Sequence, residues 1–390
     1  MAVRTVTPSL RPMNEAEYAK YMPELRLSIG GKAKPIVKPF WDAARFIPRA
    51  FGPFVNMEHI LRLGLIISNN PDIDLDDNGP PICDAELQQI EKCELRDAFT
   101  TYNKLLTLCP TLKQLLPHAQ MNAEDFKSVG EFLDQANRNA RTDDISRLRD
   151  NVMKYIYEVK GIQIPDSGLD KVKRGWNCEA TARMLCPRNL RDEFDADPKK
   201  FCQEVRNDRR LVDHDEWPTL AYSETEYDPD NLDWGLLKSP FLVKCWKATF
   251  KGPSSVNAEA GPTSGRKGGR KTLSKAYGIT TVNEYSIMYV TILARFSLSG
   301  VASWVTNDHD GPYTGSEFFK NLLFLFEDEE WRKDTLAWWN TSALAKSSAS
   351  KPLEAAQTQL PAPDLLPLRV SRSNAQRAAA NLESSVGTQT

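Results

Sequence analysis

Residues 239–251 read SPFLVKCWKATFK and residues 281–298 read TVNEYSIMYVTILARFSL, and these two stretches decide the fold. The second stretch leaves no polar face between Glu284 and Leu298. A helix that is apolar nearly all round is a central, buried one. Thr281 and Glu284 have the spacing of a capping box, which predicts where this helix begins. We therefore expect a helix at the centre of a helical core.

The first stretch predicts an amphipathic helix. Ser239 is a suitable N-cap, and Pro240 fits the first helical position because its missing N–H needs no partner there. Gly252 and Pro253 end the helix. The apolar face carries Val243, Trp246 and Phe250, and the opposite face carries Lys244, Lys247 and Lys251 at the same spacing.

Outward from these helices, apolar residues recur at helical spacing and the N-terminal half has no β-hairpin pattern. We predict an all-α protein, a predominantly helical orthogonal bundle with irregular connections rich in proline and aromatic residues, and with disordered termini. Four parts are expected: an extended N-terminal arm at 1–50, a helical subdomain at 51–161, a Trp-rich helical domain at 162–340 with a basic loop at 252–280, and a disordered tail at 341–390.

Within the helical subdomain, the pattern gives the limits of three of the predicted helices. A long helix is expected to begin at Asp84, which is a good N-cap. Separate helices are expected over 122–133 and 145–159, the second of them ended by Gly161. The charged side of the last helix is expected to face solvent.

Composition narrows the class of protein. The net charge of −2 does not by itself require a nucleic-acid or membrane partner, so any such interaction must depend on local clusters. Seven scattered cysteines without a CxxC pair indicate reduced thiols in an intracellular protein. No stretch is apolar enough for a signal peptide or a membrane span, so we expect no membrane association.

The loop between the two quoted stretches is basic and has no acidic residue from Ala260 to Thr281. Its glycines would let cations follow an irregular phosphate backbone, and each neutralised phosphate releases counterions. A solvated loop and a nuclear-import signal are the alternative interpretations. The candidate nucleic-acid-binding residues of the loop and the preceding helix are Lys244, Lys247, Lys251, Arg266, Lys267, Arg270, Lys271 and Lys275.

An acidic loop at 72–79 has part of the pattern of a calcium-binding EF-hand. Asp74, Asp76 and Asn78 fit the first, third and fifth positions, and a glycine follows. The twelfth position, however, is Ala85, which cannot supply the bidentate carboxylate. We predict an acidic linker and no bound metal.

Asp213, His214, Asp215 and Glu216 concentrate three carboxylates and an imidazole in one place. Adjacent side chains rarely converge on one ion, so a surface turn is the favoured interpretation. The alternative is a divergent metal-dependent hydrolase with a further ligand from Asp228 or Asp308. Nucleophile, zinc-protease and P-loop motifs are absent from the sequence, which favours a protein without catalytic residues or cofactors.

Six motifs stand in a fixed order along the chain: TARMLCP at 181–187, WP at 217–218, YDP at 227–229, LVK at 242–244, GPSS at 252–255 and WW at 338–339. The ordered set resembles a domain of unknown function common in basidiomycete fungi, over roughly residues 50–340. The resemblance implies no activity, cofactor or catalytic residue. It slightly favours the nucleus over the cytoplasm.

The sequence thus supports three hypotheses of function. The first is a non-enzymatic interaction module that associates with nucleic acid through the basic loop. The second is the metal-dependent hydrolase that uses carboxylates near 213–216. The third is a structural or protein-binding helical domain with an exposed aromatic patch, for which the partner would be another protein.

Overall fold

The structure, a computed structural model, describes residues 11–82, 84–85, 87–163, 170–256, 272–304 and 309–344. Within these ranges it confirms the predicted all-α fold, with one pair of two-residue strands, β1 (His309–Asp310) and β2 (Tyr313–Thr314). The helices are α1 (Glu15–Ser28), α2 (Lys38–Phe51), α3 (Met57–Asn69), α4 (Lys92–Leu108), α5 (Pro110–Ala119), α6 (Ala123–Lys160), α7 (Glu179–Leu185), α8 (Arg191–Ala196), α9 (Pro198–Arg206), α10 (Pro240–Trp246), α11 (Leu273–Tyr277), α12 (Glu284–Leu298), α13 (Gly315–Leu325) and α14 (Glu329–Leu344).

Helix α12 lies at the centre of the larger core, as its composition predicts. Every residue from Glu284 to Leu298 is buried, and the helix contacts α2, α6, α10 and α13. Two of its buried hydroxyl groups, on Thr291 and Ser297, donate to carbonyls one turn earlier in the helix. Such bonds matter because an unpaired polar group inside a core is costly.

The start of α12 differs from the prediction. Asn283 is the N-cap, and its side chain accepts from the backbone N–H of Ser286 over 3.0 Å. The predicted capping box of Thr281 and Glu284 is wrong, because the Glu284 carboxylate pairs with Arg332 of α14 at 2.9 Å. Ser286 completes the cap, although Glu or Gln is the residue that a capping box favours at this position.

Helix α10 buries the predicted apolar face. Val243, Trp246 and Phe250 are all buried, and Trp246 Nε1 donates to Ser286 Oγ over 3.1 Å. The last residues of that face lie on a π-helical segment, Lys247–Lys251, which continues α10 and ends at Gly252. The side chain of Ser239 makes no cap hydrogen bond, so the N-terminal proline alone marks the start of the helix.

Helix α6 is one continuous helix of 38 residues. Two separate helices were expected here, and that prediction is wrong because residues 134–144 include no helix breaker. The expected ends are correct: the Asn122 side chain accepts from two backbone N–H groups, and Gly161 ends the helix at φ +65°. The hydrophobic contacts of the chain form two main clusters, within 13–136 and 145–343, and α6 belongs to both.

The N-terminal residues are not extended over 15–51, where the structure has helices α1 and α2. An Asn14–Glu17 capping box opens α1, and buried side chains such as Phe40 and Ile47 attach α2 to the core. The prolines of this region suggested an extended chain. Pro39, however, lies in the first turn of α2, where proline is tolerated. The division of the chain into folding units stays a prediction.

Two further limits differ from expectation. Helix α4 begins at Lys92, and the side chain of Asp84 accepts instead from the backbone N–H of Leu87 in a short 3-10 turn. Helix α14 continues to Leu344, past the expected start of the disordered tail at residue 341. The expected disorder at 1–10 and beyond 344 lies outside the described residues.

A buried ion pair joins three helices between the two clusters. Arg49 Nε of α2 donates to Asp144 Oδ2 of α6 over 2.8 Å, and neither side chain exceeds 1% exposure. Tyr289 of α12 donates its hydroxyl to the same carboxylate oxygen over 2.9 Å. Arg147 lies 3.4 Å from the other oxygen. We call this group the Asp144 junction.

Candidate functional site

Of the three candidate lysines between 244 and 251, two hold helices together. Lys244 pairs with Glu158 of α6 at 2.8 Å. Lys251 Nζ donates to the carbonyl of Ala343 over 2.8 Å, in the last turn of α14. A cation near the last carbonyls of a helix is stabilising, because the C-terminus of a helix carries partial negative charge.

Lys247 differs from these neighbours. No ion pair or hydrogen bond of its side chain is found among the described residues. Burial, followed by the charge of Lys244, lowers the pKa of Lys247. Burial, followed by the charge of Lys247, also lowers the pKa of Lys251. An anion beside Lys247 would offset this local accumulation of positive charge.

The four predicted cations between 257 and 271, namely Arg266, Lys267, Arg270 and Lys271, lie outside the described residues. The residues on both sides of this range contact the π-helical segment. Ser255 Oγ donates to the carbonyl of Lys247 over 3.2 Å, and Ser274 Oγ donates to the carbonyl of Phe250 over 3.0 Å. Lys275 is exposed on α11. The described residues on both sides of the basic segment thus contact the π-helical segment, at Lys247 and at Phe250.

The acidic loop between α3 and α4 is closed by cations of α4. Lys92 Nζ donates to the carbonyls of Asp76 over 2.5 Å, Gly79 over 3.1 Å and Pro80 over 3.1 Å. Arg96 pairs with Asp77 at 3.0 Å. These contacts favour the interpretation as an acidic linker, because oxygens that a Ca²⁺ ion would need already bind an ammonium group.

The acidic cluster Asp213–Glu216 forms a turn against α13. The Asp213 side chain accepts from the backbone N–H of Asp215 over 2.9 Å. Asp215 Oδ1 in turn accepts from Asn321 Nδ2 over 2.8 Å. Burial, and after it the charge of Asp213, raises the pKa of Glu216 to about 7. Two of the three carboxylates are thus used in local hydrogen bonds.

The hydrolase hypothesis gains no support from this geometry. Among the residues with a described position, no group of three or more His, Cys, Asp or Glu side chains could hold a metal ion. The suggested partner Asp228 accepts from the backbone N–H of Asp230 over 2.9 Å. Asp308, the other suggested partner, lies outside the described ranges.

A cavity of about 330 Å³ lies between α3 and α4 on one side and α12 and α13 on the other. No motif in the sequence indicated it, because its lining residues come from segments far apart in the chain. Four aromatic rings and two carboxylates of one turn of α4 are the notable parts of its wall. They belong to Phe51, Phe54, Tyr285, Phe319, Glu94 and Asp97.

These features define an α-helical protein whose larger hydrophobic cluster lies in the C-terminal part of the chain. The protein belongs to the family of unknown function DUF6698, whose sequence profile matches residues 135–344, more than half of the chain. The match starts within α6 and ends with α14, so it covers the larger cluster. It confirms the family resemblance, over a shorter range than expected.

The other comparisons add no relative, since nothing among curated proteins or solved structures matches the chain. None of the described helices is both long and apolar enough to cross a membrane.

Proposed function

We propose that the protein is a non-enzymatic interaction module that binds nucleic acid through a cationic surface. The surface consists of Lys247, Lys275 and the basic segment 266–271. Lys244 and Lys251, which have partners of their own, position the helix under it. The proposal thus narrows the set of candidate residues to those whose charge is available to a phosphate backbone.

The position of Lys247 is the observation that carries the proposal. It is a cation without a described partner, and it lies on the π-helical segment that Ser255 and Ser274 contact from either side of the basic segment. The proposed surface has six cations, namely Lys247, Arg266, Lys267, Arg270, Lys271 and Lys275. A cluster of this size contributes to binding mainly by releasing counterions from the phosphates.

The experiment measures binding of single-stranded and duplex DNA and RNA as a function of salt. A variant with Arg266, Lys267, Arg270 and Lys271 changed to Gln should bind more weakly and with a shallower dependence on salt. Each lost phosphate contact should reduce the slope of log K against log salt by about 0.7–0.9. Lys247→Gln should reduce it by about one contact.

A matched control removes the same net charge elsewhere. Lys20, Lys32, Lys34 and Lys199 are exposed and lie on other parts of the surface. Changing these four to Gln should leave the salt slope unchanged. Equal slopes for the two variants, or binding that does not respond to salt, would contradict the proposal and favour a solvated loop or a protein partner.

Residence in the nucleus is a separate part of the proposal, because the same segment has the composition of an import signal. A fluorescent fusion of the full chain should accumulate in the nucleus, and the four-Gln variant should not. If both proteins distribute alike, the segment does not direct import.

A further inference from the structure

The cavity between α3, α4, α12 and α13 has an aromatic wall. Phe51 and Tyr285 lie with ring centroids 5.8 Å apart and planes at 54°, and Phe54 meets Phe319 edge-on at 6.0 Å. All four residues line the same space. The face of an aromatic ring carries partial negative charge, so a wall of rings attracts an organic cation.

Gly52 is needed for this arrangement. It has φ +101°, which side chains other than hydrogen rarely allow, and a Cβ there would come within 2.4 Å of Phe319 Cζ. The ring of Phe319 therefore lies directly against the backbone between Phe51 and Phe54. The aromatic wall depends on a residue without a side chain at this position.

Two carboxylates of α4 also line the cavity, and Glu94 Oε1 lies 3.9 Å from Nε2 of His59, another lining residue. Asp97 and Glu94 lie three residues apart on α4, so both point to one side of the helix. Within the described ranges, the Asp97 carboxylate has no ion pair and accepts no hydrogen bond. The neighbouring Arg96 pairs with Asp77, and the Thr101 hydroxyl donates to the backbone carbonyl of Asp97. Although the residue is exposed, desolvation by the surrounding protein raises the pKa of Asp97 to about 6.

The Asp97 charge also acts on the aromatic wall. Burial, followed by that charge, raises the pKa of Tyr285 above its ordinary value. A carboxylate and an aromatic wall therefore share one space of about 330 Å³, which is at the lower end of the range for small-molecule sites.

We propose that this cavity binds a small organic ammonium compound, with its apolar part against the rings and its N–H groups toward Asp97 and Glu94. Ca²⁺ takes six to eight oxygen ligands, and a wall that is largely aromatic offers few of them. An anion would be repelled by both carboxylates. A neutral apolar molecule would leave Asp97 without a partner. The proposed ligand does not depend on nucleic-acid binding.

The experiment compares two probes of equal shape on the full-length protein by titration calorimetry. Phenethylammonium carries the charge, and 2-phenylethanol replaces the ammonium by a hydroxyl group. The ammonium should bind roughly tenfold or more tightly than the alcohol, because it makes charge-assisted hydrogen bonds and a cation–π contact. Equal binding of the two probes, or no binding of the ammonium at millimolar concentration, overturns the proposal.

Variants locate the binding in the cavity. Asp97→Asn keeps the shape of the side chain and should weaken phenethylammonium binding roughly tenfold while leaving 2-phenylethanol unaffected. Phe319→Leu keeps an apolar side chain and should weaken the ammonium several-fold, as loss of one cation–π contact predicts. Thermal unfolding of each variant establishes that it is folded.

The matched control is Asp150→Asn, which removes one carboxylate from an exposed position on α6. It should bind phenethylammonium as the unchanged protein does. If Asp150→Asn weakens binding as much as Asp97→Asn, the effect comes from net charge and the cavity is not the site. Unchanged binding in Asp97→Asn overturns the proposal in the same way.

Discussion

Asp144 of α6 and Asp97 of α4 each lie near a tyrosine of α12, Tyr289 and Tyr285 respectively, yet their surroundings differ. At the Asp144 junction, Arg49, Arg147 and Tyr289 reach the carboxylate from three sides, and water is excluded. Asp97 lines an open cavity, and no described donor reaches its carboxylate. The first carboxylate is part of the structure, whereas the second is available for a ligand.

The difference shows how a charge inside a protein is to be interpreted. A buried ion pair makes a small net contribution, but removing one partner leaves the other charge uncompensated and costs much more. A carboxylate that is desolvated without a partner lowers the stability of the folded protein. Such a group is therefore more informative about binding than a complete ion pair.

Breaking the Asp144 junction should have the largest effect. Asp144→Ala leaves Arg49 buried without its counter-charge, so the free energy of unfolding should fall by about 3–5 kcal/mol. Urea denaturation measures this change. The neighbouring variant Asp143→Ala is the control, because Asp143 is half exposed and pairs with Arg45 at 2.6 Å. It should cost less than about 1 kcal/mol. Similar losses for both variants would contradict a structural role for the junction.

The sequence predicted the elements of this comparison unevenly. Helix α12 was predicted correctly, because a helix without a polar face is favourable only where the core surrounds it. The junction on α6 was not, because Asp144 and Asn137 are polar residues on a buried face. Periodicity treats a polar residue as a mark of solvent, and it cannot show that Arg49 arrives from another helix.

The sequence could not predict the cavity, for a different reason. Phe51, Asp97, Tyr285 and Phe319 have no common spacing, and only the packing of four helices brings them together. The sequence indicated Lys244, Lys247 and Lys251 as candidates because their spacing is local. Their division into two structural residues and Lys247 again depended on partners from α6 and α14, which no local pattern contains.

Loss of one hydrogen bond at the junction should have a smaller effect. Tyr289→Phe removes the hydroxyl that donates to Asp144 but leaves both arginines in place. The free energy of unfolding should fall by about 1.5–3 kcal/mol, as expected for a hydrogen bond to a charged group. Tyr157→Phe, at an exposed position of α6, should change it by less than about 0.5 kcal/mol. A neutral result for Tyr289→Phe would mean that the arginines alone compensate Asp144.

The smallest predicted effect is a gain in stability, and it tests the surroundings of Asp97. The pKa of Asp97 is about 6 in the folded protein and about 3.8 when unfolded, so the folded state holds the proton more tightly. Stability from this group is present below pH 4 and is lost as the pH rises toward 6. Asp97→Asn avoids that loss and should stabilise the protein above pH 6, by less than about 1 kcal/mol because the group is partly exposed.

Thermal unfolding at pH 4.0 and pH 7.5 measures the difference between Asp97→Asn and the unchanged protein. The gain should appear at the higher pH and vanish at the lower one, while the exposed control Asp150→Asn should show no such dependence. Glu94, His59 and Tyr285 line the cavity, Arg96 is next to Asp97 in the chain, and all four are the same in both proteins, so the difference isolates Asp97. A destabilised Asp97→Asn at pH 7.5 would mean that Asp97 has a partner as Asp144 does, and the contrast between the two carboxylates would be lost.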